Sequence, residues 1–159
     1  MTTPTASIDI ESHCPEDTAD FAKRLAESIP PGTTVALLGT LGAGKTFLTQ
    51  CFAEACGVAA GSVVSPTFVI YQPHEGKRFR INHLDVYRLN DGNEFLDLGA
   101  DEMMESDAVQ FIEWADRVAD YLPDEHLEIQ FTVTGENARQ IQVTAHGQRL
   151  CEFLVSLVG

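Results

Sequence analysis

The chain has 159 residues, is 44% hydrophobic and carries 24 Asp+Glu against 10 Lys+Arg, a net charge of −14. That length suits one domain, large enough to bury roughly 70% of its unfolded surface. No run reaches the roughly 18 apolar residues of a membrane helix, Met1 to Ile10 shows no secretory leader, and the acidic balance argues against a face that holds nucleic acid directly, so a cytoplasmic protein with no membrane contact is the expectation.

Residues 1–6 (MTTPTA) read as a loose tail. Ile8 and Ile10 alternate with polar neighbours, as a short strand does. A helix is predicted from Pro15, a good first-turn residue, with Glu16 and Asp17 at its positive end and Cys14 in the N-cap position. Its apolar stripe is Thr18, Phe21/Ala22, Leu25 and Ile29, and Pro30-Pro31-Gly32 ends it. Thr34 to Leu38 (TVALL) is a buried strand. A glycine-rich turn, Gly39 to Gly44, leads into a helix over Lys45 to Cys56, with Phe47, Leu48, Cys51, Phe52 and Ala55 inward and Gly57 as its stop. Residues 58–67 form a loop.

Phe68 to Gln72 and Phe79 to Asp85 read as an antiparallel hairpin around His74-Glu75-Gly76. The basic patch Lys77-Arg78-Phe79-Arg80 reads as its solvated tip. Asn93 to Leu98 is a short helix closed by Gly99, and Val109 to Ile112 is a strand ending at Glu113. Ala115 to Leu122 has helical character and stops at Pro123. Leu127 to Thr134 and Gln140 to Ala145 alternate cleanly, a second hairpin, and Gln148 to Leu157 is an amphipathic helix. This order predicts an α/β fold, a P-loop NTPase-like three-layer sandwich on a mixed parallel/antiparallel sheet in one domain over residues 1–159.

Cys14, Cys51, Cys56 and Cys151 form no CxxC pair. The histidines at 13, 74, 83, 126 and 146 form no HExxH. A zinc site of familiar spacing is therefore not expected.

The strongest signal is Gly39-Thr40-Leu41-Gly42-Ala43-Gly44-Lys45-Thr46, which fits GxxxxGK[ST] between a strand and a helix. Glycines there let successive backbone N–H groups turn inward onto phosphate oxygens, and the helix start adds its positive end. Lys45 supplies a point charge for the β- and γ-phosphates, and the Thr46 hydroxyl suits Mg²⁺. A strand-end acid should complete the metal shell. Two acids qualify, Glu113 and Asp85. No NKxD for reading guanine occurs, which weighs against a Ras-type GTPase.

Four segments in order, GTLGAGKT at 39–46, Ser65-Pro66-Thr67-Phe68, His83-Leu84-Asp85-Val86-Tyr87-Arg88-Leu89 and Ile112-Glu113-Trp114, resemble the TsaE (YjeE) family, the bacterial ATPase of tRNA threonylcarbamoyladenosine biosynthesis. Glu94 to Gly99 is similar to the family's short helix after HxDxYRL. The resemblance implies an Mg²⁺-dependent ATPase that works with TsaD and TsaB, which modify adenosine 37 of tRNAs reading ANN codons. The chain itself would meet tRNA only through that complex.

By motif position, the resemblance implies that Gly39 to Thr46 bind the triphosphate of ATP, with Lys45 catalytic as well, and that Thr46 and Glu113 hold Mg²⁺. Asp85 would lie near the γ-phosphate and orient water. Ser65 to Thr67 would be a switch-like loop sensing that phosphate. Arg139 would sit close to the nucleotide, and residues around Pro15 to Thr18 near the base. Two positions depart from the family pattern: Thr40 stands where an acid is usual, and Phe47 where a second hydroxyl is usual. A small-molecule or nucleotide kinase, and a nucleotide-gated assembly factor with negligible hydrolysis, remain alternative readings.

Overall fold

In the computed structural model, which describes residues 3–64 and 70–158, the chain alternates strands and helices. The strands are β1 (Thr5–Ser12), β2 (Thr34–Leu38), β3 (Tyr71–Glu75), β4 (Arg80–Asp85), β5 (Val109–Glu113), β6 (His126–Val133) and β7 (Arg139–His146). The helices are α1 (Pro15–Ser28), α2 (Lys45–Ala55), α3 (Gly92–Asp97), α4 (Ala100–Glu105) and α5 (Gln148–Val158), with a 3-10 segment over Ala115–Tyr121.

All seven strands form one sheet in the order β1-β7-β6-β2-β5-β4-β3. The pairs β2/β5, β2/β6 and β4/β5 are parallel. The pairs β1/β7, β6/β7 and β3/β4 are antiparallel. The mixed α/β sandwich expected from the element order is thus the observed architecture. Its centre, β2, is a run of TVALL because parallel neighbours flank it and both faces are covered.

Side-chain alternation sorts the core into two layers. Val35, Leu37, Phe111 and Ile129 face α1, α2 and α5, whereas Ala36, Leu84 and Ile112 face α3, α4 and the 3-10 segment. Phe52 anchors the first layer, its ring 4.7 Å from Phe111 and 5.9 Å from Phe79. Truncating such a fully buried ring to alanine costs about 3–5 kcal/mol.

Several expectations are corrected. Thr5 and Ala6 are not tail: they pair with His146 and Ala145 at the end of β1. On α2 the buried positions are Lys45, Leu48, Thr49, Phe52 and Ala53; Phe47 and Cys51 are only half-buried and Ala55 is exposed. The first hairpin is shifted, with Tyr71–Glu75 pairing across to Arg80–Asp85 and the turn at residues 76–79. Pro73 is tolerated because β3 is an edge strand. Phe68 and Val69, expected to begin that strand, lie outside the described residues.

The basic tip of that hairpin is not simply solvated. Arg78 donates to the carbonyls of Ala26, Glu27 and Ile29, so its guanidinium satisfies the unpaired end of α1, a helix with no basic residue of its own in its last turn.

Candidate functional site

The glycine-rich segment turns at the C-terminal end of β2. Gly39 has φ +142°, Gly42 +78° and Gly44 +118°, in each case a left-handed backbone that side-chain-bearing residues rarely adopt. At Gly39 the freedom is needed twice over, since a Cβ there would sit 3.0 Å from the Phe131 carbonyl oxygen of β6. Gly44 takes the N-cap of α2 without a side-chain cap, so the first amides of the helix stay open to an external acceptor. Leu41, at the loop's tip, is 88% exposed, and Thr40 is exposed beside it. Ala43 is fully buried and donates its N–H to the Thr40 carbonyl, closing the turn.

Lys45 opens α2 and is only 4% exposed. Its ammonium donates to the Gly39 carbonyl and stands 3.6 Å from the centre of the Trp114 ring. Burial pushes its pKa below the ordinary lysine value, and the carboxylates of Glu113, Asp85 and Asp116 oppose that shift.

Across from Lys45, the ends of two parallel strands bring acids to the head of α2. Asp85 and Glu113 are register partners, the last residues of β4 and β5. By strand alternation both face the α2 layer, as do His83 and Phe111 two positions earlier. The Thr46 hydroxyl donates to Glu113, with Oε1 at 3.0 Å and Oε2 at 2.8 Å. His83, wholly buried, lies 2.6 Å from Glu113 Oε2 through Nε2. A carboxylate only accepts, so His83 Nε2 carries the proton. Asp85 Oδ1 accepts from the Tyr87 N–H at 2.9 Å. Burial raises the Asp85 pKa, and the Tyr87 hydrogen bond only partly offsets it.

Lys45, Thr46, Asp85, Glu113 and Trp114 line one cleft of about 230 Å³. Its oxygen donors, the Thr46 hydroxyl and the two carboxylates, suit a hard divalent cation. A second cleft of about 230 Å³ opens on the loop's other flank between Pro15, Thr18, Phe47 and Arg139. A wider one of about 720 Å³ runs past Thr40, Leu41 and Trp114 toward Val133.

Arg139 does not point a free guanidinium into the cleft. Its Nε donates to the Ala43 carbonyl at 2.9 Å, while its other nitrogens donate to Ala138 at 2.8 Å, Gly135 at 3.1 Å and Gly42 at 3.4 Å. It therefore fastens the turn between β6 and β7 to the loop by the loop's own carbonyls.

Of the residues singled out in sequence, Gly39 to Thr46, Asp85, Glu113 and Arg139 converge on these clefts. Thr67, with Ser65 and Pro66, lies outside the described residues. Sequence reasoning did not foresee His83 as the partner of Glu113, though the alternation in His83-Leu84-Asp85 already puts His83 on the same strand face as Asp85. It also did not foresee the backbone at Trp114, which has φ +62°, the one positive φ outside glycine among the described residues. Trp114 packs 4.9 Å from Tyr87, over which Arg117 lies at 4.7 Å.

The family model "Threonylcarbamoyl adenosine biosynthesis protein TsaE" matches residues 12–141. The chain is 41% identical over 143 residues to the tRNA threonylcarbamoyladenosine biosynthesis protein TsaE of Bacillus subtilis, covering 88% of this chain and 89% of that protein. It is 36% identical to the protein of that name from Streptomyces coelicolor, covering 88% of this chain and 98% of that one. The crystal structure of Bacillus subtilis YdiB superposes with a TM-score of 0.81 at 32% identity, over 98% of this chain and 96% of that one.

Proposed function

The chain belongs to the TsaE family, and from that premise we propose that it is an Mg²⁺-dependent ATPase serving tRNA threonylcarbamoyladenosine biosynthesis. In this reading it drives a complex with TsaB and TsaD that modifies adenosine 37 of tRNAs reading ANN codons. The tRNA is held by the partners, which agrees with a net charge of −14.

The observation that carries the enzymatic part is the contact of Thr46 with both oxygens of Glu113, beside the buried Lys45. A helix start, a buried ammonium and a hydroxyl–carboxylate pair meet at the end of β2. That combination supports a triphosphate and its cation together. Open amides at the head of α2 and the positive-φ glycines would cradle the phosphates. Lys45 would leave the Trp114 ring and the Gly39 carbonyl for the β- and γ-phosphate oxygens. Thr46 and Glu113 would hold Mg²⁺, which would supply positive charge to offset that of the phosphates. His83 holds Glu113 in place from behind.

Asp85 is the group suited to orient an attacking water. Its burial makes it a better proton acceptor than an exposed aspartate. Hydrolysis then proceeds mainly by positioning and by charge stabilisation. A kinase would need cations for a second phosphate-bearing substrate. In the cleft that holds Asp85 and Glu113, Lys45 is the only cation among the described lining residues, and Arg139 is committed to carbonyls.

The deciding experiment measures phosphate release from ATP by the purified chain, alone and with TsaB and TsaD. Lys45→Ala should abolish ATP binding. Glu113→Gln should spare some binding but remove Mg²⁺-dependent turnover. Unchanged turnover in both variants, or phosphate arriving on an added acceptor instead of in solution, would sink the ATPase reading.

A further inference from the structure

At the opposite end of the strands from the phosphate loop, two histidines far apart in sequence are brought face to face. His126 opens β6 and His146 closes β7, and they are direct register partners. Their rings stack 4.4 Å apart at 18°. Glu128, two residues along β6 on the same face, brings its carboxylate beside both rings. Its Oε1 is 3.4 Å from His126 Nε2 and 3.2 Å from His146 Nε2. All three ligand atoms lie within 4.8 Å of one another.

The protonation pattern leaves this cluster short of a cation. His126 Nδ1 is 2.8 Å from the Pro123 carbonyl. A carbonyl only accepts, so Nδ1 carries the hydrogen, and in the neutral ring Nε2 turns a lone pair toward the Glu128 oxygen. Two lone pairs at 3.4 Å repel unless a positive charge lies between them. His146 Nε2 is buried and, though close to the same oxygen, is not aligned for a hydrogen bond with it or with any other described residue. A hydrogen on His126 Nε2 would serve Glu128 but would still leave His146 Nε2 without a partner.

A bound ion would answer both unmet nitrogens and the carboxylate together, with the two stacked rings turning their Nε2 atoms toward it. Ligands about 2.0–2.1 Å from a tetrahedral ion sit about 3.3 Å from each other, and the two edges from Glu128 to the histidines are 3.4 and 3.2 Å, with all three ligand atoms within 4.8 Å. The Pro123 contact is the outer hydrogen bond that fixes the tautomer of a metal-bound histidine. The three side chains are partly exposed, at 12% for His126, 37% for Glu128 and 24% for His146. Two imidazoles and one carboxylate favour zinc-class ions over Mg²⁺.

We propose that His126, Glu128 and His146 form a binding site for a zinc-class divalent transition ion, separate from the phosphate-loop cleft. The ion ties β6 to β7 at the opposite end of the hairpin from Arg139, the first residue of β7. Its signal in sequence is faint because the first two ligands are two residues apart and the third lies across the hairpin, a spacing outside the familiar zinc patterns.

The test uses the full chain, stripped with chelator and titrated with ZnCl₂ in the presence of excess Mg²⁺ and without nucleotide. One Zn²⁺ per chain should bind, with an upward shift in Tm. Nitrogen resonances of the His126 and His146 rings should move while those of His13, His74 and His83 stay in place. Glu128→Gln and His126→Gln should each weaken Zn²⁺ binding at least tenfold, and His13→Ala should not. The ring resonances are read on the unsubstituted chain, so they decide the matter even if a variant folds poorly. Absence of Zn²⁺ binding, displacement by Mg²⁺, or binding that moves neither His126 nor His146 would overturn the proposal.

Discussion

His83 Nε2 donates a 2.6 Å hydrogen bond to Oε2 of Glu113, and the imidazole that makes it is fully buried. Glu113 in turn accepts from Thr46 through both oxygens. The carboxylate is thus held from two sides, by a strand and by the head of a helix. This makes His83 a positioning residue for the cation site.

The first prediction concerns that support. Removing an outer hydrogen-bond partner of a metal-holding group costs about 10–100-fold in affinity or activity. His83→Ala should therefore raise the Mg²⁺ concentration needed for half-maximal ATP hydrolysis by about that factor, while ATP binding without Mg²⁺ changes little. His83→Gln, which keeps a donor, should recover part of the loss. If Mg²⁺ dependence is unchanged and only thermal stability falls, His83 is a core residue and no more.

Asp85 offers a separation of activity from stability. Burial raises its pKa, so in the folded chain it holds its proton to a higher pH than in the unfolded one. Between the two pKa values the folded state binds more protons, and stability falls as pH rises through that window. Asp85→Asn should abolish hydrolysis yet raise Tm at pH 7, with the gain vanishing below pH about 3.9, the ordinary aspartate value. The Asn carbonyl can still accept from Tyr87 N–H, so the turn is kept. The wild-type rate should also fall on the acid side at a higher pH than an ordinary aspartate would give. Thermal melts and rate profiles across pH check both signs. Unaltered hydrolysis in the variant would remove Asp85 from the mechanism.

Trp114 is the sole tryptophan, and the Lys45 ammonium stands 3.6 Å from its ring centre. Cation–π contacts of this kind contribute about 0.5–2 kcal/mol. A phosphate that draws Lys45 away should change the indole emission. ATP titration should give a saturable fluorescence change that AMP does not reproduce, because AMP lacks the β- and γ-phosphates. Lys45→Ala should emit differently without nucleotide and give no response to ATP. An equal response to AMP would mean that the indole senses something other than the loss of Lys45.

Periodicity made the middle of the molecule legible. TVALL, the phosphate loop and the helix after it are local signals, and Leu127 to Ala145 alternates plainly enough to mark its hairpin. What the sequence concealed depends on partners distant in the chain. Thr5 and Ala6 look like tail because nothing local reveals that β7 will pair with them. The six-residue α4 buries only Ala100, too little for a 3.6-residue period to register. The inward face of α2 was misjudged because Lys45 and Thr49, polar by type, are buried toward the site, whereas Ala55 is exposed. In the site itself, residue types identified Thr46, Asp85 and Glu113, but the hold of His83 on Glu113 needs the register of β4 against β5.

Arg139 supplies the last prediction. Its role in the structure is to grip carbonyls, from Nε to Ala43 at 2.9 Å and from the other nitrogens to Ala138 and Gly135. Holding the Ala43 carbonyl fixes the orientation of the peptide units that form the phosphate cradle. A lysine has one charged nitrogen in place of a planar fork and cannot make these contacts together. Each hydrogen bond to a charged group is worth about 1.5–3 kcal/mol. Arg139→Lys should therefore weaken ATP binding roughly tenfold while leaving kcat at saturating ATP within a factor of about two, because an occupied cradle is held in shape by the phosphates themselves. Steady-state kinetics with full saturation separates the two constants. A fall in kcat with KM unchanged would mean that Arg139 acts on the transferring phosphate directly and is not a positioning residue.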